Sequence, residues 1–490
     1  MSALLPESTA EWLALVLLLA HIVLGATAVI LISAKRRPST AIAWMLTIIF
    51  IPLIGAIAFF LVGFSRLPRH RRYKQREVSE RILERVDGID RVSHRDEWPE
   101  WLGSMVTMTR TLGALPMVGG NSAKLTDDYD GSIRWMIEAI DEAQEYVHVE
   151  FYILTYDDTT APFFAALERA RERGVTVRVL SDHLATFMYP PRAETIGRFA
   201  AMGAEWHAML PLRPLKGQWQ RPDLRNHRKI VIADGRVGFT GSQNMIASSY
   251  GKKKNVEKGL HWHEVMVQLT GPVVRELDAV FITDWYSETG ELLPFDTSPI
   301  EVSDAPEQLD AQVLPSGPSF ENDNNLKLYA ALIHKAEKQV SITSPYFVPD
   351  ESIMLAIVTA ATRGLVVELY VSEIGDQAGV YHAQRSYYEQ LLEAGVRIYL
   401  YRAPTVLHSK HFTIDDDVAI IGSSNMDIRS FSLNMEVSVL VHGAEFVRSM
   451  RTIEQSYRDN STELTLDEWV SRPRRQKVFD SVARLTSSLQ

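Results

Sequence analysis

The sequence predicts an α/β protein, a tandem pair of α/β domains behind two N-terminal transmembrane helices. Three observations predict it. Residues 12–33 and 41–64 form apolar runs of 22 and 24 positions without a formal charge. From residue 116 onward strand-like stretches alternate with helical ones, which implies a mixed or parallel sheet covered by helices. That alternation occurs twice, and one nineteen-residue segment returns at a constant offset of 181.

The 490 residues hold 46% hydrophobic and 23% charged side chains, which excludes disordered and low-complexity classes. At roughly 100–200 residues per domain, two to four domains are expected. Cysteine is absent, so a disulfide scaffold, a thiol nucleophile and thiolate metal sites are excluded. The net charge of −10 is uneven: residues 1–76 carry nine Lys/Arg against two acids, leaving −17 on the remainder. The two parts face different surroundings.

Residues 1–65 read as a membrane anchor. About 20 apolar residues suffice to cross roughly 30 Å of hydrocarbon, and both runs exceed that. Glu7 and Glu11 stand where a signal peptide needs basic residues. Basic groups favour the cytoplasmic side. Arg66, Arg69, Arg71, Arg72, Lys74 and Arg76 outnumber Lys35, Arg36 and Arg37 in the loop between the runs, which puts the body that follows in the cytoplasm and the chain in the plasma membrane. A hairpin re-entrant near Pro52-Leu53-Ile54-Gly55, with both ends inside, is the other arrangement the pattern allows. Residues 66–115 follow as a basic juxtamembrane segment and helical linker.

Residues 116–300 and 301–490 are the two domains. Residues 145–154 (EYVHVEFYIL) and 338–348 (KQVSITSPYFV) read as equivalent strands. Each is followed by a helical stretch, an Arg-Gly turn (Arg173-Gly174, Arg363-Gly364) and a further strand, residues 175–181 and 365–372.

The sharpest repeat is residues 227–245 (HRKIVIADGRVGFTGSQNM) against 408–426 (HSKHFTIDDDVAIIGSSNM). Eight of nineteen positions are identical, where about one is expected by composition. His227 and Lys229, like His408 and Lys410, lie two apart on a strand and so project to one face. Asp234-Gly235 reads as a two-residue hairpin turn, a register that sets His227 opposite Ser242 and His408 opposite Ser423. Gly241 and Gly422 then leave room for a phosphate to approach the backbone. Each copy offers an imidazole, an ammonium, a hydroxyl and an amide. Lysine and asparagine donate to phosphate oxygens, while histidine can attack phosphorus or protonate a leaving alkoxide. One histidine cannot do both on opposite sides of an in-line displacement. Two copies can.

A metal site would draw on His227, His261, His263, His408 and His411, but each repeated histidine is paired with a lysine, which repels a divalent cation. No His-Glu-x-x-His helix and no phosphate-binding Gly-rich loop ending in Gly-Lys-Ser/Thr occurs. No metal and no cofactor are expected.

The pattern His-x-Lys-(x4)-Asp-(x6)-Gly-Ser-x-Asn, present twice, resembles the signature of the phospholipase D superfamily. The two N-terminal apolar segments, residues 344–350 (SPYFVPD) and residues 422–436 (GSSNMDIRSFSLNME) resemble the bacterial cardiolipin synthases more narrowly. The resemblance implies two domains sharing one active site, a covalent phosphatidyl-histidine intermediate and no metal. It implies a catalytic set of His227, Lys229, Asp234, His408, Lys410 and Asp415, with His227 as nucleophile and His408 as general acid, then base. Asp234 and Asp415, at the hairpin turns, are expected to be structural within that set. Ser242, Asn244, Ser423 and Asn425 would join the lysines on the phosphate, while Glu264 and Glu436 would orient the histidines. The implied activity is phosphatidyl transfer between two molecules of phosphatidylglycerol at a lipid bilayer, yielding cardiolipin and glycerol. Hydrolysis, or transfer to another alcohol, shares the first step. A superfamily nuclease would need a basic groove, which the −17 body argues against, so no nucleic-acid partner is expected. The linker 210–228, with Arg213, Lys216, Trp219, Arg221, Arg225 and Arg228, has a basic and aromatic character suited to an anionic interface.

Overall fold

The computed structural model describes residues 38–63, 67–86, 95–216, 218, 220–295, 308–320 and 323–485, with scattered positions before residue 38. It divides into two units, residues 1–66 with 221–223, and residues 67–220 with 224–490.

In the first unit the expected helix over residues 41–64 is broken. Helices Pro38–Phe50 and Pro52–Val62 meet at Ile51, whose ψ of 69° is not helical. Pro52 has no N–H to continue the first helix, and its ring clashes with the preceding turn. The two helices fold back on each other: a Cβ on Gly55 would stand 2.7 Å from the Thr47 carbonyl, and the Trp44 and Phe59 rings meet edge-to-face. At 1.5 Å per residue neither 13 nor 11 residues reaches roughly 30 Å. Among the described residues no helix is long and apolar enough to cross a membrane. Half of the positions of the run 12–33 lie outside the described residues.

The second unit holds both domains in one sheet. Its first half contributes β1 (Val118–Thr126), β2 (Tyr146–Phe151), β3 (Thr176–Asp182), β4 (Glu205–Met209), β5 (Lys229–Ala233), β6 (Val237–Gly241), β7 (His261–His263) and β8 (Met266–Thr270). The second contributes β9 (Leu309–Ser316), β10 (Gln339–Thr343), β11 (Val366–Ser372), β12 (Arg397–Tyr401), β13 (Thr405–Leu407), β14 (His411–Ile414), β15 (Val418–Gly422), β16 (Glu436–His442) and β17 (Ser461–Leu464). The order across the first half is β1-β8-β6-β5-β2-β3-β4, and β9-β16-β15-β14-β10-β11-β12 repeats it, with β17 outside β12. The halves join through antiparallel β1 and β9, making fifteen strands continuous. β2, β3 and β4 run parallel, as do β10, β11 and β12, so the sheet is mixed, as the alternation of elements predicts. The expected domain boundary at 300/301 falls outside the described residues.

The β-branched content of these strands fills the core. Val147, Val149, Val177 and Val179 pack in one half and Val340, Ile342, Val367 and Leu369 in the other. Between the halves, helix Pro272–Thr289 buries Val273, Leu277, Phe281 and Trp285. Helix Arg69–Val86 belongs to this unit. It buries Val78 and Ile82 in that same central cluster, and Arg71 forms a two-bond ion pair with Glu288, so this member of the basic juxtamembrane group turns inward.

The hairpins carrying the repeated segment differ from expectation by one residue. Ala233 pairs with Val237 and Ile414 with Val418. Three residues therefore separate the strands, and the histidine-opposite-serine register does not form. Asp234 and Asp415 hold positive φ at these turns, a conformation that short polar side chains tolerate. The Asp234 carboxylate accepts from the amides of Gln144, Glu145 and Tyr146 at 2.7–2.9 Å, and Asp415 does the same for Glu337, Lys338 and Gln339. Each aspartate thus anchors the start of the adjacent antiparallel strand, β2 or β10.

Candidate active site

His227 and His408 stand just before β5 and β14, and both open onto one cavity of about 650 Å³ lined by residues of the two halves. What precedes each histidine is held by the other half. Met435 N donates to Arg225 O and His227 N donates to Met435 O, both at 2.8 Å. Symmetrically, β13 pairs in parallel with β7, and His408 N donates to His263 O at 2.8 Å. Glu264 follows β7 and Glu436 opens β16, so each carboxylate is delivered to the histidine of the opposite half. Glu436 Oε2 lies 3.0 Å from His227 Nδ1. Glu264 Oε1 lies 2.7 Å from His408 Nδ1.

The electrostatics follow from burial. Burial, opposed by Glu436, pushes His227 down to about 4, and it lowers His408 as well. Both imidazoles are therefore neutral near pH 7. A carboxylate accepting from Nδ1–H leaves the Nε2 lone pair of His227 as the free face of the ring; at His408 the Lys410 amine also approaches both ring nitrogens, 3.0 Å from Nδ1 and 3.4 Å from Nε2. Burial alone would raise the two carboxyls, but the facing histidines and lysines outweigh it and hold Glu264 and Glu436 below the usual range. Burial and the charge of Lys410 bring Lys229 down to about 7, and burial brings Lys410 to about 8. Lys229 Nζ donates to the His227 carbonyl at 2.6 Å and Lys410 Nζ to the His408 carbonyl at 2.7 Å. Neither lysine is among the residues lining the cavity, and both are buried.

Asn244 and Asn425 line the cavity beside the histidines. Asn244 accepts from Ile153 N and donates to the Tyr250 hydroxyl, which donates in turn to Glu264 at 3.1 Å. The serines sit elsewhere. Ser242 Oγ bonds both the N–H and the carbonyl of Val265, and Ser423 Oγ donates to Glu436 while accepting from Val437 N. Both are fully buried and turn away from the cavity, so they clamp the carboxylate-bearing strands rather than reach for phosphate. The neighbouring glycines serve the same contact: a Cβ on Gly241 would stand 2.4 Å from the Val265 carbonyl, so the space beside it is filled by chain and is not open to a ligand. Asp234 and Asp415 do not line the cavity.

Several lining residues escaped the sequence reading. Tyr152 packs 5.2 Å from His227, and Tyr250 and Tyr346 each lie 6.0 Å from His408. Lys252, Lys254 and Lys258 stand at the rim. Arg225 and Arg228, expected at an anionic interface, are buried, paired with Asp182 and Asp284. Among the described residues no three His, Asp or Glu side chains converge as a metal-ligand set.

A family model described as "Cardiolipin synthase, PLD-like domain" matches residues 136–285 and 329–456, more than half of the chain. The chain belongs to this phospholipase D-like cardiolipin synthase family. A second model, "Phospholipase_D-nuclease N-terminal", matches residues 13–63. Cardiolipin synthase A of Proteus mirabilis is 30% identical over 93% of this chain and 94% of its own. A cardiolipin synthase of Geobacillus kaustophilus is 29% identical over 93% and 90%. The crystal structure of phosphatidylserine synthase from Haemophilus influenzae Rd KW20 superposes with a TM-score of 0.59 at 15% identity, over 79% of this chain and all of that one, a likeness of fold. The matched residues include both copies of the repeated histidine segment.

Proposed function

We propose that the protein is a membrane-attached phosphatidyltransferase that joins two phosphatidylglycerol molecules into cardiolipin and releases glycerol. The observation that carries this reading is the crossed pairing of Glu436 with His227 and Glu264 with His408 around one cavity, because in-line displacement puts the attacking and leaving groups on opposite sides of phosphorus, where two separately oriented imidazoles can serve one each.

His227, neutral near pH 7, attacks the phosphodiester phosphorus through Nε2. A P–N bond forms, the bond to the headgroup glycerol breaks, and His408 gives its proton to the departing oxygen. Arrival of the phosphodiester anion raises His408 toward protonation, which prepares the acid. Glu436 stabilises the positive charge that the phosphorylated His227 ring acquires. The lysines, brought near neutrality by burial, gain protons as phosphate charge enters, and Asn244 and Asn425 donate to its oxygens. The hydroxyl of a second phosphatidylglycerol then gives its proton to His408 and attacks phosphorus. The P–N bond breaks, and His227 returns neutral.

The rim supports a lipid substrate. Phe187, Met188 and Val256 are exposed beside Lys252, Lys254 and Lys258, an apolar and cationic combination suited to an anionic bilayer. Residues 12–64 provide the attachment. The helices meeting at Pro52 expose Phe50, Leu53, Ile54 and Ile57 and enter the bilayer as a re-entrant hairpin, with the body on the cytoplasmic side. The test is direct. Purified protein given labelled phosphatidylglycerol should yield cardiolipin and glycerol in equal amounts, whereas phosphatidic acid as the sole lipid product would overturn the reading.

A further inference from the structure

Among the cations of the cavity wall that the repeated signature does not explain, one is deeply buried. Arg225 is 6% exposed and lines the wall beside His227. Its Nη1 is gripped by both oxygens of Asp182, at 3.1 and 3.2 Å. Its Nε and Nη2 find no hydrogen-bond partner among the described residues. Buried donors left unpaired are unfavourable, so this edge is set up to meet an acceptor. The Nε–Nη2 edge of a guanidinium matches two oxygens of a phosphate.

The edge is also fixed in place. Asp182 accepts from Asn226 N at 3.0 Å and Ala185 N at 2.9 Å, so the carboxylate that holds Arg225 is itself locked. Asn434 adjoins it, since Met435 N bonds Arg225 O, and Asn434 Oδ1 is likewise unpartnered among the described residues. Around the whole cavity Arg225, Lys252, Lys254, Lys258 and Arg429 stand against two carboxylates, Asp376 and Asp427. The lining thus carries an excess of cations although the body as a whole is acidic.

What decides the ligand is asymmetry. At the repeat offset, Arg225 corresponds to Val406, which is buried in an apolar cluster with Tyr250 and Trp262. The phosphate that is transferred sits between two histidines and contacts groups present in both copies. A cation present in only one copy lies outside that shared cradle. Resting on the phosphatidyltransferase reading, we propose that the free edge of Arg225 is a second oxyanion subsite, which takes the phosphodiester of the acceptor lipid while the donor phosphorus lies between His227 and His408. A glycerol headgroup places its attacking hydroxyl only the length of the glycerol carbons from its own phosphate, so a subsite beside the reacting centre suits it.

The experiment compares acceptors in one protein. Wild type, Arg225→Gln and Arg225→Lys full-length chains are given phosphatidylglycerol in mixed micelles. Three rates are measured: cardiolipin formation, exchange with labelled glycerol, and transfer to glycerol 3-phosphate. In Arg225→Gln the ratio of cardiolipin formation to glycerol exchange should fall at least about tenfold, and the preference for glycerol 3-phosphate over glycerol should fall with it. Arg225→Lys keeps the charge facing Asp182 but lacks the fork, so it should fold and give an intermediate ratio even if the Gln variant does not fold. All three rates falling equally in the Lys variant, or none falling, would overturn the subsite. A loss confined to the lipid acceptor, with glycerol 3-phosphate unaffected, would also overturn it by assigning Arg225 to the membrane surface. A wild type that only releases phosphatidic acid overturns the transferase reading and the subsite together, which separates that failure from the others.

Discussion

Glu436 lies 3.0 Å from His227 Nδ1 although 209 residues separate them and they belong to opposite halves of the chain. Glu264 and His408 repeat the relation in the other direction, at 2.7 Å. Neither half carries a complete histidine–carboxylate pair, because each histidine meets the carboxylate of the other half. The crossing gives the two carboxylates separable roles.

Glu436→Gln should impair formation of the covalent adduct on His227, and Glu264→Gln should impair proton delivery to the leaving group, each by about 10–100-fold. A donor with an activated phenolate leaving group should rescue adduct formation in Glu264→Gln and not in Glu436→Gln. Rapid-quench measurement of adduct with both donors checks this, and rescue of the opposite variant would refute the crossed assignment.

The histidines themselves should divide in the same way. Acid assistance typically contributes 10²–10⁴-fold and is dispensable for a good leaving group. His408→Ala with the phenolate donor should therefore accumulate an acid-labile, base-stable adduct that peptide mapping places on His227. His227→Ala should form none with either donor. Label on His408 in that variant would reverse the roles.

The lowered pKa of His227 has a sign for stability. Between its ordinary value of 6.5 and about 4 in the fold, the unfolded chain binds a proton that the native chain does not. Stability should thus fall as pH drops through that window, by about 3 kcal/mol in total from this group, and level off below it. Thermal melting of the wild type against His227→Gln should show a shallower acid slope in the variant. Identical slopes would remove His227 as the source.

Asp234 and Asp415 should matter for folding and not for chemistry. Each binds three backbone amides at the start of a strand. Asp234→Ala should cost about 1–3 kcal/mol while the folded fraction keeps a turnover within a few-fold of wild type. A kcat loss of a hundredfold in fully folded protein would return the residue to the reaction.

Membrane topology is open to labelling, since the chain contains no cysteine. Single cysteines in the segment 34–40 and in the body should both resist an impermeant thiol reagent in intact cells and react after permeabilisation. Labelling of the body in intact cells would place it outside.

Local chemistry made much of this protein readable from its residues. A repeat of period 181 with His, Lys, Gly, Ser and Asn in fixed positions revealed the duplication, and the alternation of elements revealed the mixed sheet, because strand periodicity and turn residues act over short stretches of chain. The break at Pro52, the one-residue change in hairpin register and the inward turn of Ser242 and Ser423 were less legible. Each depends on what packs against the segment: Gly55 against Thr47, Asp234 on the β2 amides, Ser242 on Val265. The crossing of Glu436 to His227 and of Glu264 to His408, and the pinning of Arg225 by Asp182, were decided by tertiary structure alone. No local pattern links residues 209 or 43 positions apart. The joining of the two halves in one sheet, with β7 paired to β13 and Met435 bonded to Arg225 and His227, brings each histidine within hydrogen-bond reach of the opposite carboxylate.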